Sequence, residues 1–489
     1  MRGLLSKPHL RQLEIFEYVN THPSQSLTKL SKIMNISEKT LRQDIQEINH
    51  LLEPNKIVGT PLSGLTLELD AETSIESVYS LFLFASTEFL IIEHIFFKKF
   101  ETLDSLAESL FISTSTLRRM IATINQVLSK NNFQIDSQAL DLIGTETQIC
   151  NFMVHYFEEK YRDSSAVFPK FQLKALNQLI SYGLKKENIS MNYPDMEKLR
   201  IWTSVVLYRI KAGHRFTYTA EQHARIPKHI VTNPLMKRLF KATFSIDLTE
   251  DVFFQLFFLF FNKNYCQTIE QLNSLAKHNP TINNFVSSLI LFLENISTKL
   301  AIELKNKEQL VLNLYNLDTL YYGNSYILYN RYQVFIELVT HDYSNFYQFI
   351  KKEINQNLPI KNKNWSQDAI NNFFYMLITH WDDLAHGIEK KIKVFSVGIF
   401  FNTDKEHMKM LKDQLSYFFE NRLTFSIMTD LNISDLEKSA RKYDILLTNL
   451  FNVQIKGTKI VVLPLALQAS DIKKIDDIYL GLLQQSQTF

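Results

Sequence analysis

SLTKLSKIMNISEKTLRQDIQEINHLL, residues 26–52, returns 76 positions later as TLDSLAESLFISTSTLRRMIATINQVL, residues 102–128. Laid against each other without a gap, the two stretches match at 11 of 27 positions. These are Leu27/Leu103, Leu30/Leu106, Ile36/Ile112, Ser37/Ser113, Thr40/Thr116, Leu41/Leu117, Arg42/Arg118, Ile45/Ile121, Ile48/Ile124, Asn49/Asn125 and Leu52/Leu128. Identity of this kind marks a duplicated structural unit.

Each copy reads as the same short plan. Leu27 and Leu30, or Leu103, Leu106 and Ala107, give a first helix; a tight break follows, with Ile36 or Ile112 plugging between helices. Ser37 or Ser113 is placed to cap a second helix by accepting from an otherwise unpaired first-turn N–H. That helix presents Leu41, Ile45, Ile48 and Leu52, or Leu117, Ile121, Ile124 and Leu128, on one face at the spacing of a buried stripe. An upstream helix over residues 10–20 supplies a third wall for the first copy. Downstream, residues 56–69, around Pro61-Leu62-Ser63-Gly64, and residues 133–143, around Asp136-Ser137-Gln138, each read as a two-stranded wing. The pattern predicts two winged helix-turn-helix modules.

Opposite the buried stripes lie Lys39, Gln43, Gln46 and His50 in the first copy and Ser115, Arg119 and Gln126 in the second, flanked by Thr40, Arg42, Thr116 and Arg118. Arginine, glutamine and serine reach base edges or phosphates from a helix in a major groove, so double-stranded DNA is the expected partner. The alternative is a duplicated bundle element with no ligand. Residues 1–145 hold 13 Lys/Arg and 17 Asp/Glu, a net −4. Weak, salt-dependent binding that needs several modules together follows from that balance.

Composition bounds the rest. The chain has 489 residues, 45% of them hydrophobic, and 53 basic against 51 acidic side chains. Eleven glycines are few against a usual share of about 7%, which favours helices over turn-rich β architectures. With 37 Phe and 21 Tyr the chain can bury a core and is not disordered. Cys150 and Cys266 stand far apart, excluding a disulfide scaffold or a cysteine zinc site and fitting a reducing, cytoplasmic compartment. Lys7 and Pro8 break the N-terminal apolar run before a signal-peptide core forms. The apolar runs at 81–97 and 252–261 each read as a buried helix, so no membrane partner is expected.

Residues 146–389 carry helical patterns, with breaks at 188–194, 278–280 and 357–365. From residue 392 the pattern alternates: strands at 392–401, 423–428, 443–448 and 459–463, and helices at 404–420, 434–441 and 469–484. This predicts a small parallel α/β domain. After its first strand come Asn402-Thr403-Asp404-Lys405, without the glycines that let a backbone cradle phosphates, and Gly398 stands alone inside the strand. No nucleophile or metal motif occurs, and Asp382 and Asp383 are expected on different sides of a helix. The chain reads as a non-enzyme with no cofactor and no metal.

The series ISEKTLRQDIQEIN and ISTSTLRRMIATIN, followed by a helical middle and a strand-first tail, resembles the Mga/AtxA group of bacterial virulence regulators, which contain phosphotransferase-system regulation domains. The resemblance implies a mainly α multidomain chain. Its order is winged helix-turn-helix modules at 1–72 and 73–165, helical regulation domains at 166–279 and 280–389, and an α/β domain resembling enzyme IIB at 390–489. It implies transcriptional regulation, a homodimer formed through the C-terminal region, and phosphorylation of histidines by the phosphocarrier HPr. His214, between Arg209 and Arg215, and His380, with His386 as alternate, match the regulation-domain histidines in placement. Some enzyme IIB domains carry a phosphorylated cysteine after the first strand, where this chain has Asn402 and Thr403, so the tail is expected to have a structural or oligomerisation role. Two other readings remain at this level: an RNA-binding antiterminator with similar regulation domains, and an interaction scaffold that binds no nucleic acid.

Overall fold

The computed structural model describes all residues except 61–63, 187–192, 220–221, 223–225, 262–263, 320–322, 324, 359–364, 392, 431, 452 and 487–489. The tip of the first wing and parts of the expected breaks at 188–194 and 357–365 therefore lie outside the described residues. The chain divides into two compact units. The first comprises residues 1–265 and 319–331, the second 266–318 and 332–489.

Serine side chains start the helices of the first module. Ser6, Ser26 and Ser37 accept from the N–H of His9, Lys29 and Thr40 and open α1 (Lys7–Thr21), α2 (Leu27–Met34) and α3 (Glu38–Leu52). Asn35 ends α2 in the left-handed region at φ 53°, a conformation that asparagine tolerates. Strands β1 (Lys56–Thr60) and β2 (Gly64–Glu68) pair antiparallel as the wing. Gly64 is at φ 69°, and a Cβ there would lie 2.4 Å from the Ser24 carbonyl oxygen, so only glycine lets β2 close on residues 24–25. Leu13, Phe16, Leu30, Leu41, Ile48, Leu52 and Ile57 fill the core. Ile45 is only half-buried; the buried neighbour on α3 is Asp44, clamped by Arg11 at 2.7 and 2.8 Å.

The second module repeats the plan with α4 (Ile75–Ala85), α5 (Thr87–Phe96), α6 (Leu103–Ser109), α7 (Thr114–Leu128), β3 (Phe133–Asp136) and β4 (Asp141–Gly144), and α8 (Glu146–Tyr161) follows. All four stripe residues of α7 are buried. The apolar run at 81–97 is not one helix. Ser86 ends α4 and caps α5, and the two helices meet at a bend of 75°. The bend lets both bury apolar faces, including Phe82, Leu83, Phe89 and Ile92. Buried Glu93 is satisfied by Lys160 at 2.7 Å, Tyr156 at 2.8 Å and Tyr161 at 2.9 Å.

Beyond α8 the first unit continues with α9 (Lys170–Lys186), α10 (Tyr193–Lys211) and short helices Lys228–Val231, Pro234–Phe244 and Glu250–Leu256. The run 252–261 likewise divides: the α-helix stops at Leu256, and Phe258–Phe261 form a 3-10 turn. Among the described residues no single helix is long and apolar enough to cross a membrane.

The second unit begins with helices Ile269–His278, Pro280–Leu300, Lys307–Thr319, Arg331–Asp342, Ser344–Asn357, Gln367–His380 and Leu384–Glu389 around Leu289, Phe292, Ile296, Leu310, Phe373 and Leu377. Asp382 and Asp383 do not lie on a helix. They form the turn between the last two helices, where Asp383 pairs with Lys305 at 2.7 Å. The tail carries four strands, Phe395–Phe400, Leu423–Ile427, Ile445–Thr448 and Lys459–Val462, all parallel and ordered second, first, third, fourth. Helices Lys405–Phe418, Ile433–Ser439 and Ala469–Gln485 accompany them. Gly398 is a packing residue: a Cβ there would meet the Met428 sulfur at 2.6 Å.

Candidate nucleic-acid interface

The outward face of α3 exposes Lys39, Arg42, Gln43, Gln46 and His50, and that of α7 exposes Ser115, Arg118, Arg119 and Gln126. Thr40 and Thr116 are half-buried, each with its hydroxyl 2.9 Å from the capping hydroxyl of Ser37 or Ser113. These two threonines therefore knit the first turn of each recognition helix. The surroundings of the arginines differ between modules. Arg42 has the Glu38 carboxylate at 3.8 Å, and Gln43 donates to Glu47 at 3.1 Å. On α7, the Arg119 guanidinium reaches the Thr116 hydroxyl at 3.4 Å and, among the described residues, no carboxylate.

Two features of this scaffold escaped sequence reasoning. Asn49 donates to the Ile57 carbonyl at 2.9 Å and accepts its N–H at 2.6 Å; Asn125 does the same to Ile135 at 2.9 and 2.8 Å. Each asparagine thus ties a wing strand to its recognition helix. Both stand among the eleven identities, and a repeated polar residue beside the buried stripe was the available signal. The second feature joins the two helices of each module at their N-termini. Thr28 donates to Glu38 at 2.6 Å, and Thr114 donates to Asp104 at 2.6 Å. The positions are equivalent and the residue types exchanged, so a comparison by identity passes over them. Phe111 occupies the turn before α7 at φ 55° and is 96% exposed, where the first module has Asn35.

Of the singled-out histidines, His214 is three-quarters buried, with Nε2 2.9 Å from Oδ2 of Asp141 on wing strand β4. Asp141 also takes Lys98 at 2.7 Å and Arg209 at 3.1 Å. Burial opposes ionisation of Asp141, but hydrogen bonds from Lys98 and His214 and the charge of Arg209 outweigh it and hold the carboxyl below its usual range. The arginines on either side of His214, Arg209 and Arg215, both have partners within the fold. Buried Arg209 is spent on Glu146 at 2.7 Å and on the Leu142 carbonyl at 2.8 Å, and Arg215 on Asp251 at 3.4 Å. His380 and His386 are exposed on consecutive helices of the second unit, His380 with Nδ1 2.9 Å from the Thr379 hydroxyl. In the tail, Asn402 is exposed and its N–H donates to Asn449 at 2.8 Å.

Two capped recognition helices, each braced by its own wing, define a two-module helix-turn-helix transcriptional regulator. Residues 6–57 match the M protein trans-acting positive regulator (MGA) HTH domain, residues 71–157 the Mga helix-turn-helix domain, and residues 173–384 the M protein trans-acting positive regulator (MGA) PRD domain. The chain belongs to the Mga/AtxA family of trans-acting regulators. It is 27% identical to a trans-acting regulator of Streptococcus pneumoniae over 98% of both chains. It is 21% identical to the anthrax toxin expression trans-acting positive regulator of Bacillus anthracis over 96% of this chain and 98% of that one. A third relative, the capsule synthesis positive regulator AcpA of Bacillus anthracis, is 27% identical over 40% of each chain.

Proposed function

We propose that this regulator grips duplex DNA with both recognition helices, through Lys39, Thr40, Arg42, Gln43 and Gln46 of the first module and Ser115, Thr116, Arg118 and Arg119 of the second. The observation that carries this reading is the duplication itself: two helices with the same cap, the same buried stripe and the same asparagine tie, both turning polar and basic side chains outward. Fluorescence anisotropy of the full chain with duplex DNA and with hairpin RNA at two salt concentrations tests it. Duplex binding that weakens steeply with salt is expected, and Arg118→Ala with Arg119→Ala should lower affinity and flatten the salt slope by about one for each lost phosphate contact. Preference for the hairpin, or an unchanged affinity in the double variant, counts against it.

The control of this activity is read from the family. Residues 1–72 and 73–165 are taken as the DNA-binding modules, 166–279 and 280–389 as the regulation domains and 390–489 as the enzyme IIB-like domain. His214, His380 and His386 are the proposed phosphorylation sites, with HPr as donor. Dimerisation is assigned to the tail. Support for that assignment is the apolar surface it leaves open: Met410, Tyr417 and Phe418 on one helix, and Ile433, Phe451 and Leu465 after three of the strands.

A further inference from the structure

The first unit is not one continuous stretch of chain. Residues 319–331 come back to it from between two helices of the second unit. In this returning segment Ile327 and Leu328 are 1% and 0% exposed and belong to the same core as the two modules. Three successive N–H groups, those of Ile327, Leu328 and Tyr329, donate to the single carboxylate of Glu159 on α8, the last two at 2.9 and 3.2 Å. The Leu328 carbonyl accepts from Arg2, at 3.1 Å from Nε and 2.9 Å from Nη2.

These anchors come from both modules. Arg2 also donates to Glu17 of α1, at 2.8 and 2.5 Å, and Glu17 accepts from the Tyr79 hydroxyl of α4 at 2.5 Å. The Tyr79 ring lies 4.8 Å from that of Tyr329, which returns the circuit to the strap. The turn that carries Arg2, residues Arg2–Leu4, sits against the second recognition helix, with Gly3 beside Val127. One short backbone segment is thus held by α8 on one side and by the N-terminal turn of the first module on the other.

We propose that residues 325–330 are an intramolecular strap that fixes the mutual placement of α3 and α7, and that Glu159 and Arg2 are positioning residues setting the spacing of DNA half-sites this regulator accepts. The proposal rests on the DNA-binding reading above. Two modules on a net-acidic region bind well only when both engage at once, and that gain depends on a geometry that need not be found anew at each encounter. Half-site spacing mirrors the distance between recognition helices. Neither Glu159 nor Arg2 lies on the outward face of a recognition helix, so their effect on DNA runs through the strap.

The test uses the full chain and duplexes selected by it from a random library, then lengthened one base pair at a time at the centre. Wild-type protein should lose about tenfold or more in affinity over half a helical turn of insertion. Glu159→Ala and Arg2→Ala should bind the optimal duplex more weakly and lose most of that spacing preference, while Glu159→Gln, which keeps one acceptor oxygen, falls between. Spin labels at Lys32→Cys and Glu108→Cys, exposed and equivalent positions on α2 and α6, should give a narrow distance distribution without DNA that broadens in the strap variants. Because Arg2 is partly exposed, its variant serves if Glu159→Ala fails to fold. Folded variants that keep both the spacing preference and the narrow distribution overturn the strap. If no duplex is selected, the DNA-binding reading falls, and the spin labels still decide the strap.

Discussion

Asn125 treats Ile135 as a peptide group would treat its neighbour in a sheet: the side-chain amide donates to the Ile135 carbonyl at 2.9 Å and accepts the Ile135 N–H at 2.8 Å. Ile135 spends both backbone groups on the recognition helix, and β3 keeps pairing with β4 through its other residues. A primary amide carries donor and acceptor at the right separation; an aspartate offers no donor and an alanine neither. Asn125→Ala should therefore leave two backbone groups without partners and cost about 1–3 kcal/mol of stability. Chemical denaturation reads the loss, and amide exchange should quicken across residues 133–144. Unchanged exchange there would show that the tie does not hold the wing.

Glu38 competes with DNA for Arg42 if Arg42 is the phosphate or base contact proposed above. Their charged groups are 3.8 Å apart on an exposed helix face, a pair worth at most about 1 kcal/mol, and the amide oxygen of a glutamine can still accept from Thr28, so stability should hardly move in Glu38→Gln. DNA affinity at low salt should rise and the salt slope steepen, since a carboxylate that repels phosphate has gone. Anisotropy titrations across a salt series measure both. A fall in affinity would mean that Glu38 positions the helix rather than competing for the arginine.

Burial pushes Glu159 up to about 7, against the pull of the three strap N–H groups, and the neighbouring Glu158 adds to the rise. In the unfolded chain the group ionises near 4.5, so between about 4.5 and 7 the native state binds more protons. Its contribution to stability is greatest below that window and declines as pH rises through it. The difference in unfolding free energy between wild type and Glu159→Gln should therefore shrink from pH 4.5 to pH 7 and level off above. A difference that grows with pH would reverse the assignment.

Exposure orders the proposed phosphorylation sites. Incubation with phosphoenolpyruvate, the general phosphotransferase enzyme and HPr should label His380 and His386 before His214, whose Nε2 is already engaged by Asp141. A phosphoryl group at that nitrogen, carrying close to two negative charges by analogy with phosphoserine, would displace Asp141 and oppose its charge. Asp141→Asn should then speed labelling of His214, as followed by mass spectrometry of acid-labile phosphate. No label on any of the three would remove phosphohistidine control.

Removal of residues 390–489 should convert a dimer into a monomer in sedimentation, because the proposed interface is the apolar surface carried by Tyr417, Phe418 and Phe451. Tyr417→Ser with Phe418→Ser, both exposed, should weaken the dimer without unfolding the sheet. A truncated chain that dimerises as tightly as the whole would move the interface elsewhere.

Local patterns determined much of this protein from sequence alone. Serine caps, the i, i+4, i+7 stripe and the 76-residue repeat were enough to place both recognition helices, and the four tail strands lie within three residues of their expected positions at either end. These features arise from neighbours in the chain, where residue type and spacing carry the physics. The bend at Ser86 was masked by the apolar run that continues through it: the serine caps α5 locally, and the 75° between α4 and α5 appears only in the packed structure. Likewise Asp44 looks like a surface carboxylate until Arg11, 33 residues earlier, is folded against it. The tertiary structure alone decided the contacts made across long stretches of chain: His214 on Asp141, and Glu159 on the backbone of residues 327–329. A backbone amide has no residue-type signature, so this contact could not be seen until the fold brought the segment to the Glu159 carboxylate, which accepts three of its N–H groups.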